Sequence, residues 1–308
     1  LISWNSFEAN KQEIRANLAV WFWRSFVYTL ATTHLHPRKE CPVDTPKQPC
    51  CELCKHGFLE EFLVPEKLQI LKCPMCGLYQ KGLSLVGVDY ASDYHEGYHR
   101  RRASKVRTAE VRLSRLTRLT GPANGRLLDV GCSVGCTLEA ATQMGWEAVG
   151  IDVSADVVAT CQQHGIQAIE YDGESIPFPD GHFDVITSWH VIEHVRDVRD
   201  TLAEWCRVLK PGGWVMIETP NGECRKVQRR GPSYRRFWAH EHTYTFNRFS
   251  LEQFFSEAHY EVFSPPRLPP LRSGWPKFPY ALAYQSYQGL RRVAGVNKAF
   301  QVIARRAA

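Results

Sequence analysis

Between Arg126 and Glu218, short apolar runs alternate with stretches of about ten residues at helical spacing, and few architectures accept that order. The apolar runs are Arg126–Asp129, Glu147–Ile151, Gln167–Glu170, Phe183–Thr187 and Gly213–Glu218. The helical stretches are Thr137–Met144, Ala155–His164 and Val198–Leu209. The runs lack the polar alternation of a half-solvated strand, so the sheet they form is expected to be parallel and covered on both faces. Residues 123–264 are therefore predicted to be an α/β domain with a Rossmann-like doubly wound sheet. Ahead of it, Val106, Ala109, Leu113, Leu116 and Thr120 recur at three- and four-residue steps, which predicts an amphipathic helix within a cover segment, 90–122.

The flanks read differently. Residues 11–31 suggest an aromatic helix inside an N-terminal segment, 1–40. Prolines 265, 266, 269, 270, 276 and 279 break regular structure at the start of a C-terminal extension, 265–308, whose last 28 residues read as a basic helix. The longest apolar run, Leu18–Ala31, contains Arg24 and falls short of the roughly 20 apolar residues a spanning helix needs. No membrane span and no secretory signal is expected. The formal charge of +6 is concentrated in Arg100–Arg118 and Ser264–Ala308, two basic stretches that leave open a contact with RNA or another acidic surface.

Eleven cysteines with no paired spacing argue for a reducing, cytoplasmic setting. Four of them form a pattern: Cys51-x2-Cys54, 18 intervening residues, then Cys73-x2-Cys76. Each two-residue gap lets a tight knuckle aim both sulfurs at one ion, so residues 41–89 are expected to hold a structural Zn²⁺ with four thiolates. Cys41 and Cys50 are spare, and Cys50 could compete with Cys51.

After the first predicted strand, Asp129-Val-Gly131-Cys132-Ser133-Val-Gly135 opens a helix. Such a loop brings backbone amides and a helix N-terminus to a ligand. Counted from Gly131, the first, third and sixth positions hold Gly131, Ser133 and Cys136, so the dinucleotide spacing fails. Asp152 ends the second strand, 21 residues after Gly131, where a carboxylate can accept hydrogen bonds from a ribose diol.

These segments, with Ile176-Pro-Phe-Pro-Asp-Gly-His-Phe-Asp-Val185, Val191-Ile-Glu-His-Val195 and Val208-Leu-Lys-Pro-Gly-Gly213, resemble class I S-adenosylmethionine-dependent methyltransferases over about residues 105–263. The visible departure is Ser133, where that family usually has glycine. The resemblance implies that Asp129, Gly131, Cys132 and Gly135 face the methionine end of S-adenosylmethionine, that Asp152 and Val153 face the ribose side, and that Asp172 meets the adenine amine. Ser188, Trp189 and His190 would lie beside the sulfonium and the acceptor. A zinc unit ahead of such a domain is similar to bacterial methyltransferases of polysaccharide and natural-product pathways, which implies a small-molecule oxygen as acceptor. Other zinc-knuckle methyltransferases act on ribosomal RNA, an alternative, and a non-catalytic scaffold is a third.

Histidines crowd the region where the acceptor is expected. His190, Glu193 and His194 follow the fourth strand of the domain, and His240 and His242 follow the fifth. His190 or His242 could act as general base, with His194 beside them. Glu193-His194, Thr219-Pro220-Asn221 and His240-Glu241-His242 also resemble small-RNA 3′-terminal ribose methyltransferases, which implies a second divalent metal near Glu193, His194 and His242. His190 stands where those enzymes have glutamate, which favours a borderline metal over magnesium.

Overall fold

The computed structural model describes residues 50–55, 59–64, 68–81, 102–234, 242–263 and 297–307. The expected aromatic helix at 11–31 and the prolines at 265–279 lie outside the described residues. Eleven strands and six α-helices follow in order among them: β1 (Glu60–Val64), β2 (Leu68–Lys72), β3 (Tyr79–Lys81), α1 (Arg102–Thr120), β4 (Arg126–Val130), α2 (Cys136–Met144), β5 (Glu147–Asp152), α3 (Ala155–Gln163) and β6 (Ala168–Glu170). Then come β7 (Phe183–Trp189), α4 (Val198–Val208), β8 (Leu209–Pro220), α5 (Arg225–Arg230), β9 (Tyr244–Thr245), α6 (Arg248–Glu257), β10 (Tyr260–Phe263) and β11 (Ala299–Arg306).

A seven-stranded sheet in the order β10-β11-β8-β7-β4-β5-β6 forms the centre. Strands β4 to β8 pair in parallel, as the alternation predicts. Successive residues of a strand face opposite layers. Leu127, Val185, Met216 and Ile303 therefore pack under α1 with Val106, Ala109, Leu113 and Leu116. Leu128, Ile186, Val215 and Ile217 face Leu202, Trp205 and Phe254 of α4 and α6 on the other side.

Two features depart from the expectation. The end of the chain is a strand: β11 lies antiparallel between β8 and β10, with Val302, Ile303 and Ala304 fully buried. Ala299–Arg306 contains no helix breaker and reads locally as helix. Its state is decided by the open edge of β8, which offers backbone partners and an apolar bed that a surface helix would forgo. Arg305 at its end donates to the Gly212 carbonyl at 3.0 Å and sits over Trp214. The second concerns the cysteine unit: its antiparallel strands β1-β2-β3 are completed by β9, which follows β8 in the chain. Arg199 of α4 donates at 2.8 Å to the Leu53 carbonyl and also to that of Glu52, and the Asn247 amide donates at 2.9 Å to the Cys76 carbonyl.

Because β11 is a core strand, Ile303→Ala is expected to destabilise the protein by about 2–4 kcal/mol, read from the urea midpoint. A change below about 0.5 kcal/mol is what a surface position would give.

Candidate active site

Asp129 lies on the central strand β4, opposite Thr187 of β7 in register, and the Thr187 hydroxyl donates to Asp129 Oδ1 at 2.7 Å. Asp129 Oδ2 is buried and makes no hydrogen bond within the protein. Burial pushes this carboxyl up to about 7 against the pull of Thr187. The chain then turns sharply: Gly131 (φ 70°) and Gly135 (φ 75°) are left-handed, and a side chain on Gly131 would collide with Val191. Gly135 caps α2, so the first amides of that helix open toward the loop. Ser133, at the position where the resemblance expects glycine, also has positive φ (48°), and its buried hydroxyl has no partner.

Asp152, at the end of β5, orders this loop. Its Oδ2 accepts the Ser133 amide at 2.9 Å and its Oδ1 accepts the Ser154 amide at 3.1 Å. Val153 beside it is exposed, and Gly173 approaches it from the loop after β6. In that loop Asp172 accepts the amides of Glu174 and Ser175, which hold its carboxyl below the usual range. Asp129, Gly131, Gly135, Asp152, Val153 and Asp172 thus stand along the carboxyl ends of β4, β5 and β6. Cys132 is buried under the loop against Gly150, and its thiol is pushed up by its contact with Cys161 and by burial, so it is a packing group that offers no thiolate. The free Asp129 oxygen and the free hydroxyls of Ser133 and Ser188 fit a ligand that brings an ammonium and other polar groups, as the methionine end of S-adenosylmethionine does.

The other half of the site begins at the end of β7. Ser188 is buried, Trp189 is partly buried, and the Arg112 guanidinium of α1 lies 4.3 Å from the Trp189 ring centre. His190 has φ 60°, a conformation that costs about 1–2 kcal/mol for a residue with a side chain. Its amide donates to the Glu218 carbonyl at 2.8 Å, and its ring stands between two carboxylates, Nδ1 at 3.2 Å from Glu193 and Nε2 at 3.4 Å from Glu218. Burial would lower its pKa, yet the hydrogen bonds it donates to Glu193 and Glu218 outweigh it and push it up to about 9. Both ring nitrogens of His190 are thereby engaged by carboxylates that favour its protonated form, which counts against its use as the general base.

Glu218 is held down to about 2 against burial by His190, Arg112 and the Gln301 amide, which donates at 2.8 Å. Arg112, Glu218 and Gln301 were not foreseen from sequence. The one available signal was a lone acid, Glu218, directly after the apolar run Trp214–Ile217. The same contacts engage the basic stretch before Arg118 internally: Arg102 binds Glu139 at 2.6 Å, Arg112 binds Glu218, and Arg115 reaches Gln301 at 2.9 Å. That removes three cations from the platform expected for RNA.

Glu193 is buried, bound to His190 through Oε1 and to the Thr219 hydroxyl through Oε2 at 2.9 Å. His194 and His242 meet edge to face with ring centres 4.8 Å apart. One ligand atom each from Glu193, His194 and His242 fall within 4.8 Å of one another.

Apart from these, Cys51, Cys54, Cys73 and Cys76 gather their sulfurs within 4.8 Å, with Cys51–Cys76 and Cys54–Cys73 at 3.5 Å. A tetrahedral Zn²⁺ with Zn–S of about 2.3 Å spaces its sulfurs by about 3.8 Å, so the set fits. Hydrogen bonds from Cys51, Cys54 and Cys76 hold the Cys73 thiol well below its ordinary range. Cys50 is disulfide-bonded, so it does not compete with Cys51, and the other nine described cysteines are free thiols.

Residues 78–264, more than half of the chain, match a family described as a methyltransferase domain. A ubiquinone biosynthesis O-methyltransferase of Bordetella avium (strain 197N) is 31% identical over 119 residues, 36% of this chain and 49% of that protein. One from Bradyrhizobium sp. (strain ORS 278) is 38% identical over 101 residues, 31% of this chain and 40% of that protein. The chain spans about half the length of the curated relatives it matches. Among solved structures, a chain from the complex between the Haloferax volcanii Trm112 methyltransferase activator and a methyltransferase superposes with a TM-score of 0.50 at 17% identity. The match covers 70% of this chain and 95% of that one, a likeness of fold.

Asp129 supplies a pH test. An ammonium pairs with the ionised carboxylate, so S-adenosylhomocysteine affinity is expected to rise with pH, by up to about tenfold per unit below pH 7, and to level off above it. In Asp129→Asn the affinity is expected to be weaker and flat with pH, as titration calorimetry would read.

Proposed function

The chain belongs to the methyltransferase-domain family, and from that premise we propose that it transfers the methyl group of S-adenosylmethionine to an oxygen of a small-molecule acceptor. The observation that carries this reading is the glycine loop tied to Asp152, together with buried, unpartnered polar atoms on Asp129, Ser133 and Ser188. The named relatives, O-methyltransferases of ubiquinone biosynthesis, support oxygen and a small acceptor. A bound S-adenosylmethionine supplies an electrophilic methyl on a sulfonium, the leaving group. The protein's part is to hold acceptor oxygen, methyl carbon and sulfur in line, at about 3 Å from oxygen to carbon, in a site that excludes water.

Trp189, stacked under Arg112, and the His190 clamp provide a rigid wall beside the reacting atoms. A hydroxyl acceptor must also lose its proton. His190 has both nitrogens engaged by carboxylates, so that task is assigned to His194 or His242, whose rings meet edge to face. The cluster of Glu193, His194 and His242 supports a second reading, a divalent ion at this point that lowers the acceptor's pKa. Two imidazoles and one carboxylate suit a borderline transition metal better than magnesium. The four-cysteine site is assigned to structural Zn²⁺.

Titration calorimetry with S-adenosylhomocysteine tests the core of the proposal. Affinity in the micromolar range is expected, reduced at least about tenfold in Asp152→Ala, which removes both the ribose contact and the tie to Ser133. Unchanged affinity in that variant would refute the site. Metal analysis separates the two readings of the histidines: a second equivalent of metal that disappears in His242→Ala supports the ion, and its absence leaves the base.

A further inference from the structure

Strand β9 has two edges, and each is committed to a different part of the molecule. On one edge it pairs with β3 of the cysteine unit, Tyr79 opposite Thr245 and Gln80 opposite Tyr244, and the pairing is extended by the Lys81 amide, which donates to the Thr243 carbonyl at 3.0 Å. On the other edge the amides of Thr243 and Tyr244 both donate to the Glu193 carbonyl, at 2.8 and 3.0 Å. The Thr243 hydroxyl reaches the His194 carbonyl at 3.4 Å, and the Tyr244 hydroxyl reaches that of Arg196 at 3.0 Å. His242, the residue that meets His194, is the one immediately before this doubly held segment.

The partner strand β3 is paired along its length with β2, with Tyr79 packed on Phe62, and it is also tied to both knuckles. It begins three residues after Cys76, and the Cys73 amide and carbonyl bond to Leu78 and Gly77 across the second knuckle. The buried side chain of Gln80 ties it to the first knuckle, with Nε2 donating to the Cys50 carbonyl at 3.1 Å and Oε1 accepting the Glu52 amide at 3.0 Å. Asn247, just past β9, closes the circuit onto the Cys76 carbonyl. A shallow recess at this seam is lined jointly by Gln80 and Lys81 of the cysteine unit and by His242 and Thr243. None of these hydrogen bonds reaches β4, β5 or the glycine loop, although Cys73, Cys76 and Leu78 share a buried cluster with Val130 and Ile151.

We propose that the four-cysteine unit is the positioning element of the acceptor side: through the pairing of β3 with β9 it holds His242 against His194, independently of the cofactor half of the site. The inference rests on the reading of these histidines as acceptor-side groups. It assigns the thiolate cluster a role beyond stapling its own segment, because loss of the knuckle geometry removes one edge of β9 while the sheet edge at β4 and β5 keeps its own pairing. Gln80 and Asn247 are positioning residues in this scheme, since they act on His242 only through the strand.

Residue-resolved hydrogen exchange, with and without removal of Zn²⁺ by a chelator, tests it on the full chain. Exchange at the Thr243 and Tyr244 amides is expected to rise at least about tenfold on stripping and to return with one added equivalent of Zn²⁺. Over the same step the His194 and His242 ring proton signals are expected to shift, with β4 and β5 amides unchanged and S-adenosylhomocysteine affinity within about threefold. A second variant keeps the metal: Asn247→Asp retains the helix-capping oxygen, loses the donor to Cys76, and is expected to raise the same two exchange rates by about threefold or more. Unchanged exchange at Thr243 and Tyr244 in both preparations would overturn the proposal. So would loss of S-adenosylhomocysteine binding on stripping, which makes the metal a staple for the whole fold. Failure of the zinc-loaded wild type to bind S-adenosylhomocysteine would count against methyl transfer alone.

Discussion

Parallel strands β4 to β8 all end on one edge of the sheet, and each must hand the chain to the opposite edge before the next strand can begin. The turns at the carboxyl ends are therefore crowded side by side, and backbone amides at the start of α2 are left open there. Every group given a role in the cofactor half stands on one of these turns or at the strand end that leads into it. Asp152 converts adjacency into order, because one carboxylate takes an amide from the loop after β4 and another from the loop after its own strand. A carboxylate fixed by two backbone donors keeps its remaining lone pairs aimed at a ligand.

Burial of acids is the cost of this arrangement, and it is met differently at three positions. Asp129 has the Thr187 and Thr137 hydroxyls and the charge of Arg112 in its favour, yet burial drives it toward protonation. Glu193 and Glu218 share the His190 cation, and Glu218 has Arg112 as well, so both stay ionised inside the protein. One strained residue thus carries the charge balance of the acceptor wall. Arg112 joins that wall to α1 by two contacts, the ion pair with Glu218 and the stack on Trp189. The helix that covers the sheet also stiffens the site.

Much of the cofactor half was legible in the residue order. Asp129, Gly131, Gly135 and Asp152 lie within 25 residues, and the distances that matter among them are set by one strand, one turn and one crossover. The four cysteines were legible for a similar reason, since each knuckle is local and only the meeting of two knuckles is not. The acceptor wall was only half legible. His194 and His242 could be picked out as chemistry-bearing, but the clamp on His190 could not, because its two carboxylate neighbours come from residues 193 and 218 and the second is invisible to local spacing.

By itself, then, the sequence determined the parallel α/β layering, the glycine loop with its partner Asp152, and the four-thiolate cluster, all of them consequences of local periodicity or short spacing. Tertiary structure alone decided that Ala299–Arg306 is a buried strand, that β9 completes the sheet of the cysteine unit, and that Arg112, His190 and Gln301 converge on Glu218. A strand is stabilised by the partner it finds, and a buried charge by the counter-charge it meets. Both partners here lie a hundred or more residues away in the chain for the pairs Arg112–Glu218 and Tyr79–Thr245, so no local pattern could announce them.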